Sequence, residues 1–184
     1  MRFILILALA LGFQTLQAQN HFLVELENRS PDVNAMVQAF EGTQPVPFLA
    51  NDVHGIERSY FDMIGKTMLL WFWNNDCQKC VGQIDALNKL TEKYPNDLKI
   101  ISFSDNTKQE VLQFMENTKI IFPVIASSRT LSDGPYGGDL GYPKFFMLDK
   151  EGNTKWVIPE VEMRGDFDAF NFFETLHISL QKSE

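Results

Sequence analysis

A continuous apolar run occupies residues 67–73, and polar residues flank it on both sides. A short run without alternation of apolar and polar positions is typical of a strand that is buried on both faces of a sheet. We therefore predict that residues 67–73 form the central strand of the protein. The pattern then changes to helical spacing, which starts at Cys77 and stops at Pro95. This change indicates a helix directly after the central strand.

The rest of the chain alternates between predicted strands and helices. Before the central strand, the pattern predicts a short helix over 31–41 capped by Ser30 and a hairpin over 48–56. After the central region, it predicts strands over 98–103 and 122–126, with a helix between them that is capped by Thr107 and Glu110. The last elements are a loop over 127–141, a hairpin of 144–148 and 155–158, and a final helix capped by Asp166. Such alternation favours a parallel sheet with helices on both faces, and the late hairpin adds antiparallel strands. The predicted fold class is therefore α/β, a three-layer α/β/α sandwich with a mixed central sheet.

The first eighteen residues have the pattern of a signal peptide. Arg2 is followed by apolar residues up to Leu11 and then by a more polar stretch that ends at Ala18. The apolar stretch has about half of the ~20 residues that a membrane-spanning helix needs, so an uncleaved membrane anchor is the less favoured alternative. We expect an exported, periplasmic protein with no stable membrane span. Its parts are a signal peptide over 1–18, an N-terminal extension with a short helix over 19–44, and one domain over 45–184.

Composition narrows the range of partners. The chain of 184 residues has 24 Asp and Glu against 16 Lys and Arg, and its formal net charge is −8. Because nucleic-acid binding depends on basic side chains that displace counterions from phosphates, this balance argues against a nucleic-acid partner. With 45% hydrophobic residues the chain can form a sizeable core without disulfide stapling. Its two cysteines, Cys77 and Cys80, are therefore expected to have a chemical role.

The two cysteines lie where the central strand passes into the following helix. Unpaired backbone N–H groups and the positive end of the helix dipole lower the pKa of a thiol at a helix N-terminus. Cys77, at the more exposed position, is then the expected nucleophile. Cys80, one helical turn later, is expected to resolve the mixed disulfide. Outside the cytosol such a pair can also be held as a Cys77–Cys80 disulfide.

A structural disulfide and a zinc site are weaker alternatives for the pair. A structural disulfide that closes a ring of about four residues would contribute about 2 kcal/mol, against about 3 kcal/mol for a 15-residue loop. A closed zinc site needs about four ligands, and His21, His54 and His177 show no ligand spacing to each other or to the cysteines. We therefore expect a redox-active pair, with no metal and no cofactor.

Several segments together resemble the thioredoxin superfamily, and most closely its exported TlpA/ResA-like redoxins. The segments that carry the resemblance are Pro45 to Phe48, Phe72-Trp73 ahead of Cys77-Gln78-Lys79-Cys80, Phe122-Pro123-Val124, and Gly141-Tyr142-Pro143 at the start of the strand that ends at Leu148. The resemblance implies a thioredoxin-like fold in which Pro143 is cis and lies beside the cysteine pair. It also places Tyr142 and Trp73 at the substrate-binding surface, although for Tyr142 a place at the edge of the core is equally open.

The chain departs from this family at two positions of chemical importance. Gln83 stands where ResA-like members have a glutamate, and a neutral amide cannot accept a proton from Cys80. Asp76 replaces the tryptophan that usually precedes the first cysteine. Its carboxylate disfavours the Cys77 thiolate, whereas the Lys79 ammonium favours it. We therefore predict an untuned pair that works as a reductant rather than as a strong oxidant.

The leading hypothesis is an exported enzyme, a protein thiol–disulfide oxidoreductase. The resemblance implies disulfide-containing envelope proteins and a membrane electron donor as its partners. The alternative, motivated by the missing glutamate, the missing tryptophan and the loop-like segment over 127–141, is a redox-inactive or weakly active thioredoxin-like binding module. Peroxidase activity is a third and weaker possibility, because Asn74 stands where a peroxidase would have a threonine three residues before its cysteine.

Overall fold

The computed structural model describes residues 23, 26, 28–163 and 167–182, and these contain two sheets. The first sheet is an antiparallel hairpin of β1 (Leu49–Asn51) and β2 (Glu57–Ser59). The second has five strands, β3 (Thr67–Trp73), β4 (Leu98–Ser104), β5 (Val124–Ile125), β6 (Lys144–Leu148) and β7 (Thr154–Ile158), in the order β5-β4-β3-β6-β7. The pairs β3–β4 and β4–β5 are parallel, and the pairs β3–β6 and β6–β7 are antiparallel. The predicted mixed sheet is thus confirmed.

Helices cover both faces of the five-stranded sheet. In chain order they are α1 (Pro31–Val37), α2 (Gln78–Val81), α3 (Ile84–Lys93), α4 (Lys108–Met115), α5 (Arg129–Asp133) and α6 (Ala169–Lys182). Residues of α2, α3, α4 and α6 share one core with one face of the sheet, whereas α1 and α5 pack with the β1–β2 region on the other face. The three-layer α/β/α architecture is as predicted.

The central strand β3 supplies side chains to both cores, and all seven of its residues are buried. Because successive side chains of a strand point to opposite faces, Trp71 and Trp73 enter the core with α3 and α6, while Leu70 and Phe72 enter the other. An uninterrupted apolar run is what burial on both faces requires. The sequence pattern therefore identified this strand correctly.

The segment before the β1–β2 hairpin is fastened to the sheet through a buried arginine. The Arg29 guanidinium donates from Nε to Glu162 (2.8 Å), from Nη1 to Glu41 (2.5 Å) and from Nη2 to the carbonyl oxygen of Val157 (2.5 Å). Val157 belongs to β7, and Glu162 belongs to the short 3₁₀ turn Glu160–Glu162 that follows it. The N-terminal segment and this turn therefore hold each other in place.

The structure corrects the helix predicted from Cys77 to Pro95, which is two helices. The α-helical hydrogen-bond pattern is interrupted after Gly82, where the Gln83 N–H donates to the carbonyl oxygen of Cys80, three residues earlier instead of four (3.0 Å). Glycine is a poor helix former, so a break is cheapest at this point. The cysteine pair consequently lies on the short helix α2 and not on a long one.

The structure also corrects the loop predicted over residues 127–141. This region contains α5 and a 3₁₀ turn, Gly138–Leu140. Tyr136 within it is buried: its hydroxyl donates to the carbonyl oxygen of Val46 (2.7 Å), and its ring centroid lies 4.7 Å from that of Phe72. A stretch with a loop-like composition therefore forms part of the core.

Two predictions concern residues outside the described ranges, namely the signal peptide over 1–18 and the helix cap at Asp166. Asp168, which is described, accepts a hydrogen bond from the Asn171 N–H (3.1 Å) at the start of α6. In the described part of the chain, no helix combines the length and the apolar character needed to cross a bilayer.

Candidate active site

The two cysteines form a disulfide at the start of α2, with Cys77 as the N-cap residue. The sulfur of Cys77 accepts a hydrogen bond from the Cys80 N–H (3.1 Å). Cys77 is half-buried, Cys80 is completely buried, and the neighbouring Asp76 is exposed. Of the two sulfurs, that of Cys77 is therefore the one a partner can reach. A backbone N–H already lies beside it, as stabilisation of a thiolate requires.

The segment that leads to the cysteines is held by the neighbouring strand. The Asp105 N–H donates to the carbonyl oxygen of Trp73 (3.2 Å), and the Asn75 N–H donates to Oδ1 of Asn106 (2.8 Å). Both contacts join the end of β3 to the end of β4, where two parallel strands leave the sheet at the same edge. The cysteine pair thus begins from a fixed point on the sheet.

The loop before β6 lies at this same edge, and its Tyr142–Pro143 peptide bond is cis. Because Lys144 pairs with Phe72 in the antiparallel register of β3 and β6, Pro143 lies one residue beyond the last pair, where β3 leads towards the cysteines. Within the described chain, neither the N–H nor the C=O of Tyr142 forms a backbone hydrogen bond. These two groups are available to an extended peptide.

Lys79, which we predicted to favour the Cys77 thiolate, forms an ion pair with Glu160. Glu160 also packs against the loop before the cis peptide bond: a Cβ added to Gly141 would lie 3.0 Å from the Cβ of Glu160. Gly141 has a φ of +71°, so glycine suits this position both sterically and conformationally. Glu160 therefore links α2 to the cis-proline loop, and its carboxylate offsets part of the positive charge of Lys79.

Trp73 is fully buried, which corrects the prediction that it contacts substrate. Its ring is stacked on that of Trp71 with centroids 5.0 Å apart, and it lies 5.5 Å from the ring of Phe114. Trp73 and Cys80 belong to the same core. A side chain without exposed surface cannot touch a partner protein. Trp73 instead packs in the core that also contains the buried Cys80.

Gln83 is buried at the start of α3, three residues after Cys80. Its Nε2 donates to the sulfur of Met163 (3.2 Å), and its Oε1 has no hydrogen-bond partner within the described chain. Gln83 is thus a neutral amide that contacts Met163, and it offers no base to Cys80.

Tyr142 is part of a buried polar network beside the cis-proline. Its hydroxyl donates to Oδ1 of Asp105 (2.9 Å) and is hydrogen-bonded to the hydroxyl of Ser132. Burial, together with the Asp105 carboxylate, holds the pKa of Tyr142 well above its ordinary value. Of the two alternatives for Tyr142, its side chain therefore belongs to the protein's own packing, while its backbone remains available to substrate.

Lys144, directly after Pro143, completes this network and is only 1% exposed. Its Nζ donates to the carbonyl oxygens of Ser132 (2.8 Å) and Gly137 (2.6 Å). Burial lowers the pKa of Lys144 from 10.5 to about 8. Three carboxylates act on this pKa in the opposite direction, those of Asp133, Asp105 and Asp139. The residues before and after the cis-proline are thus bound to the same segment of the chain.

The low pKa of Lys144 predicts a pH-dependent stability. Between about pH 8 and 10.5 the unfolded chain keeps the Lys144 proton and the folded protein does not, so stability rises with pH across this window. Relative to Lys144→Met, the free energy of unfolding of the wild type should increase by about 1–2 kcal/mol from about pH 7 to about pH 9.5. Urea unfolding of both oxidised proteins measures this difference, in which the other titrating groups cancel. A difference that stays constant with pH would contradict the assignment to Lys144.

Sequence reasoning missed four residues of this site: Asp105, Ser132, Lys144 and Glu160. Lys144 alone carried a signal, as a charge at the start of an apolar strand directly after a proline. The other three are polar residues in short turns or at element ends. Their partners lie 37 residues away for Asp105, 10 for Ser132 and 81 for Glu160. No local pattern indicates contacts over such separations.

No metal site is formed by the described residues, since no three His, Cys, Asp or Glu side chains among them come close enough to hold an ion. His177 is buried against the ring of Tyr94, with centroids 4.6 Å apart. His54 lies exposed in the turn between β1 and β2, and His21 is outside the described ranges.

Comparison with known proteins gives a consistent result. A model described as the AhpC/TSA family matches residues 33–157, a span that includes the cysteine pair and the cis-proline. The thioredoxin-like protein YneN of Bacillus subtilis is 26% identical over 116 residues, which cover 61% of this chain and 67% of YneN. The thiol-disulfide oxidoreductase ResA of Bacillus anthracis is 30% identical over 116 residues, which cover 61% of this chain and 66% of ResA. The matches thus span about two thirds of these relatives.

Solved structures show a likeness of fold. The thioredoxin domain of a thiol-disulfide oxidoreductase from Bacteroides vulgatus superposes with a TM-score of 0.60 at 23% identity, covering 74% of this chain and 97% of that domain. StoA from Bacillus subtilis superposes with a TM-score of 0.58 at 20% identity, covering 72% of this chain and 97% of that one. The predicted thioredoxin-like fold is confirmed.

Proposed function

The chain belongs to the AhpC/TSA family, and from this premise we propose that it is an exported protein thiol–disulfide oxidoreductase that reduces disulfides in envelope proteins. The observation that carries the proposal is the Cys77–Cys80 disulfide at the N-terminus of α2. One sulfur of this pair is accessible and the other is buried beneath it. This arrangement suits a mechanism in which the accessible thiol attacks the substrate and the buried thiol resolves the mixed disulfide.

Reduction of a substrate by the dithiol form takes two exchange steps. The Cys77 thiolate attacks one sulfur of the substrate disulfide, forms a mixed disulfide and releases the other substrate sulfur as a thiolate that takes up a proton. Cys80 then loses its proton and attacks the sulfur of Cys77, which releases the second substrate thiol and forms the Cys77–Cys80 disulfide. Two electrons pass to the substrate. A membrane electron donor would return them to the cysteine pair.

Substrate binding is assigned to the cis-proline loop. The unpaired backbone N–H and C=O of Tyr142 would bind an extended segment of the substrate, and Pro143 would fix the direction of the loop. This binding would place a substrate disulfide over the accessible sulfur of Cys77. Because Gln83 is neutral, the proton of Cys80 passes to the departing substrate thiolate or to water in this mechanism.

The charges around the pair favour a reductant. Asp76 lies next to Cys77 in the chain, and a neighbouring carboxylate disfavours a thiolate, although solvent weakens the effect of this exposed charge. The cation that could offset this effect, Lys79, is paired with Glu160. A strong oxidant needs a highly stabilised thiolate in its reduced form, and these two features work against such stabilisation.

Equilibration with glutathione tests this proposal. We expect the Cys77–Cys80 pair to interconvert reversibly, with a midpoint nearer to the thioredoxin value of about −270 mV than to the DsbA value of about −120 mV. Alkylation of free thiols followed by mass spectrometry gives the reduced fraction at each glutathione ratio. A midpoint in the DsbA range would refute the reductant role, and a pair that never opens would favour the redox-inactive binding module.

The cellular setting is also part of the proposal. We place the protein in the periplasm after removal of a signal peptide over 1–18, with residues 19–44 as an N-terminal extension and 45–184 as the thioredoxin-like domain. An exported dithiol needs a supply of electrons, because the compartment outside the cytosol is oxidising. This need is the reason for a membrane electron donor among the proposed partners.

A further inference from the structure

We propose that Lys144, Tyr142, Ser132 and Asp105 form a clamp that positions cis-Pro143 and thereby sets the affinity for protein substrates. The proposal rests on the reductase function proposed above and adds to it a set of positioning residues outside the cysteine pair. We call these four residues the cis-proline clamp.

In the clamp, one residue of α5, Ser132, is hydrogen-bonded to both chain neighbours of Pro143. Tyr142, before the proline, is hydrogen-bonded through its hydroxyl to the hydroxyl of Ser132. Lys144, after the proline, donates from Nζ to the carbonyl oxygen of Ser132 (2.8 Å). Asp105 accepts from the Tyr142 hydroxyl (2.9 Å) and so joins the clamp to the end of β4. Movement of Pro143 relative to the sheet would break contacts on both sides of it.

Burial of Lys144 gives the clamp a function beyond packing. Lys144 and Ser132 are each 1% exposed, and a buried ammonium group is costly even when it is hydrogen-bonded. An apolar side chain would fill the same position of β6 without that cost. The lysine reaches across to two carbonyl oxygens of the 127–141 region, which an apolar residue cannot bind. Lys144 lies directly after Pro143, and its buried ammonium group is costly. Its hydrogen bonds to these carbonyl oxygens therefore point to a role in positioning Pro143.

The clamp should act on large substrates selectively. A protein segment would use the backbone of Tyr142, whose orientation follows that of Pro143, whereas a small disulfide needs only the sulfur of Cys77. A misplaced loop therefore weakens peptide binding without altering the attacking thiol.

Single-turnover kinetics of the reduced protein test this selectivity. The substrates are a disulfide-bonded peptide and the small disulfide DTNB, and the variants are Lys144→Met and Ser132→Ala. We expect the half-saturating peptide concentration to rise roughly tenfold in each variant, while the limiting rate and the DTNB rate change by no more than about twofold. Ser132→Ala removes a single hydroxyl, which is hydrogen-bonded to that of Tyr142, so it remains informative if Lys144→Met folds poorly.

Tyr136→Phe is the matched control. Tyr136 lies in the same 127–141 region, is buried, and donates its hydroxyl to the Val46 carbonyl oxygen (2.7 Å), away from the clamp. It loses one buried hydrogen bond, as Ser132→Ala does, but it leaves both neighbours of Pro143 in place. We expect its half-saturating peptide concentration to equal that of the wild type.

The outcomes separate the clamp from the proposed function. An active wild type with unchanged peptide saturation in both clamp variants would overturn the clamp alone. An equal rise in Tyr136→Phe would also overturn it, because general loosening of the region would then account for the effect. A wild type that reduces neither substrate would overturn the proposed function, and the clamp with it.

Discussion

Insulin reduction by Cys77→Ser is expected to fall to the rate of the chemical reductant alone. Cys77 is the accessible member of the pair, and its sulfur already lies beside the Cys80 N–H at the start of α2. The remaining thiol, Cys80, has no exposed surface. A buried thiol cannot reach a protein disulfide, so the substitution removes the nucleophile completely. Turbidity of precipitating insulin chains in the presence of dithiothreitol measures the rate.

Cys80→Ser serves as the control for this loss. Both variants lack the Cys77–Cys80 cross-link, so a comparison of the two separates loss of the nucleophile from loss of the disulfide. With DTNB we expect Cys80→Ser to release about one equivalent of thionitrobenzoate rapidly and Cys77→Ser to release almost none until it is unfolded. Equal insulin reduction by the wild type and Cys77→Ser would sink the proposed enzymatic function.

Parts of the fold that depend on short-range pattern could be predicted from the sequence. Burial on both faces leaves a continuous apolar run, and this identified β3. The cap formed by Thr107 and Glu110 joins residues only three positions apart, and the structure contains it in full as a capping box at α4. The redox pair was predictable for the same reason, since both cysteines lie within one turn at a strand–helix junction.

Other features could not be predicted from the sequence, because they depend on contacts between residues that are far apart in the chain or on the packing of the core. The region 127–141 is rich in Gly and Ser, but Tyr136 and Leu140 anchor it in the core, and no periodic spacing marks them. Lys79 was predicted to influence Cys77, yet the ion pair that engages it comes from Glu160, 81 residues away. Trp73 lies four residues from the pair in the chain, but the alternation of β3 turns its ring into the core.

Cys80→Ser is expected to accumulate a mixed disulfide with its substrate through Cys77. Attack by Cys77 is preserved, but the thiol that would release the adduct is replaced by a hydroxyl. The chain has no third cysteine that could take the place of Cys80, which lies buried beneath Cys77 within the same turn of α2. Gln83, the buried side chain three residues further on, is neither a nucleophile nor a base. The adduct should therefore persist until a thiol is added from outside.

Trapping is measured by adding reduced Cys80→Ser to a purified protein that contains an accessible disulfide, followed by non-reducing electrophoresis. We expect most of the variant to shift to the mass of the adduct and to return after dithiothreitol, while the double variant Cys77→Ser/Cys80→Ser shows no shift. In an envelope extract the same adducts, identified by mass spectrometry, would name the physiological partners. If Cys80→Ser traps nothing although its thiol reacts with DTNB, attack on protein disulfides is not its function. The cysteine pair would then belong to a binding module, since an exposed thiolate without a substrate groove reacts with small disulfides only.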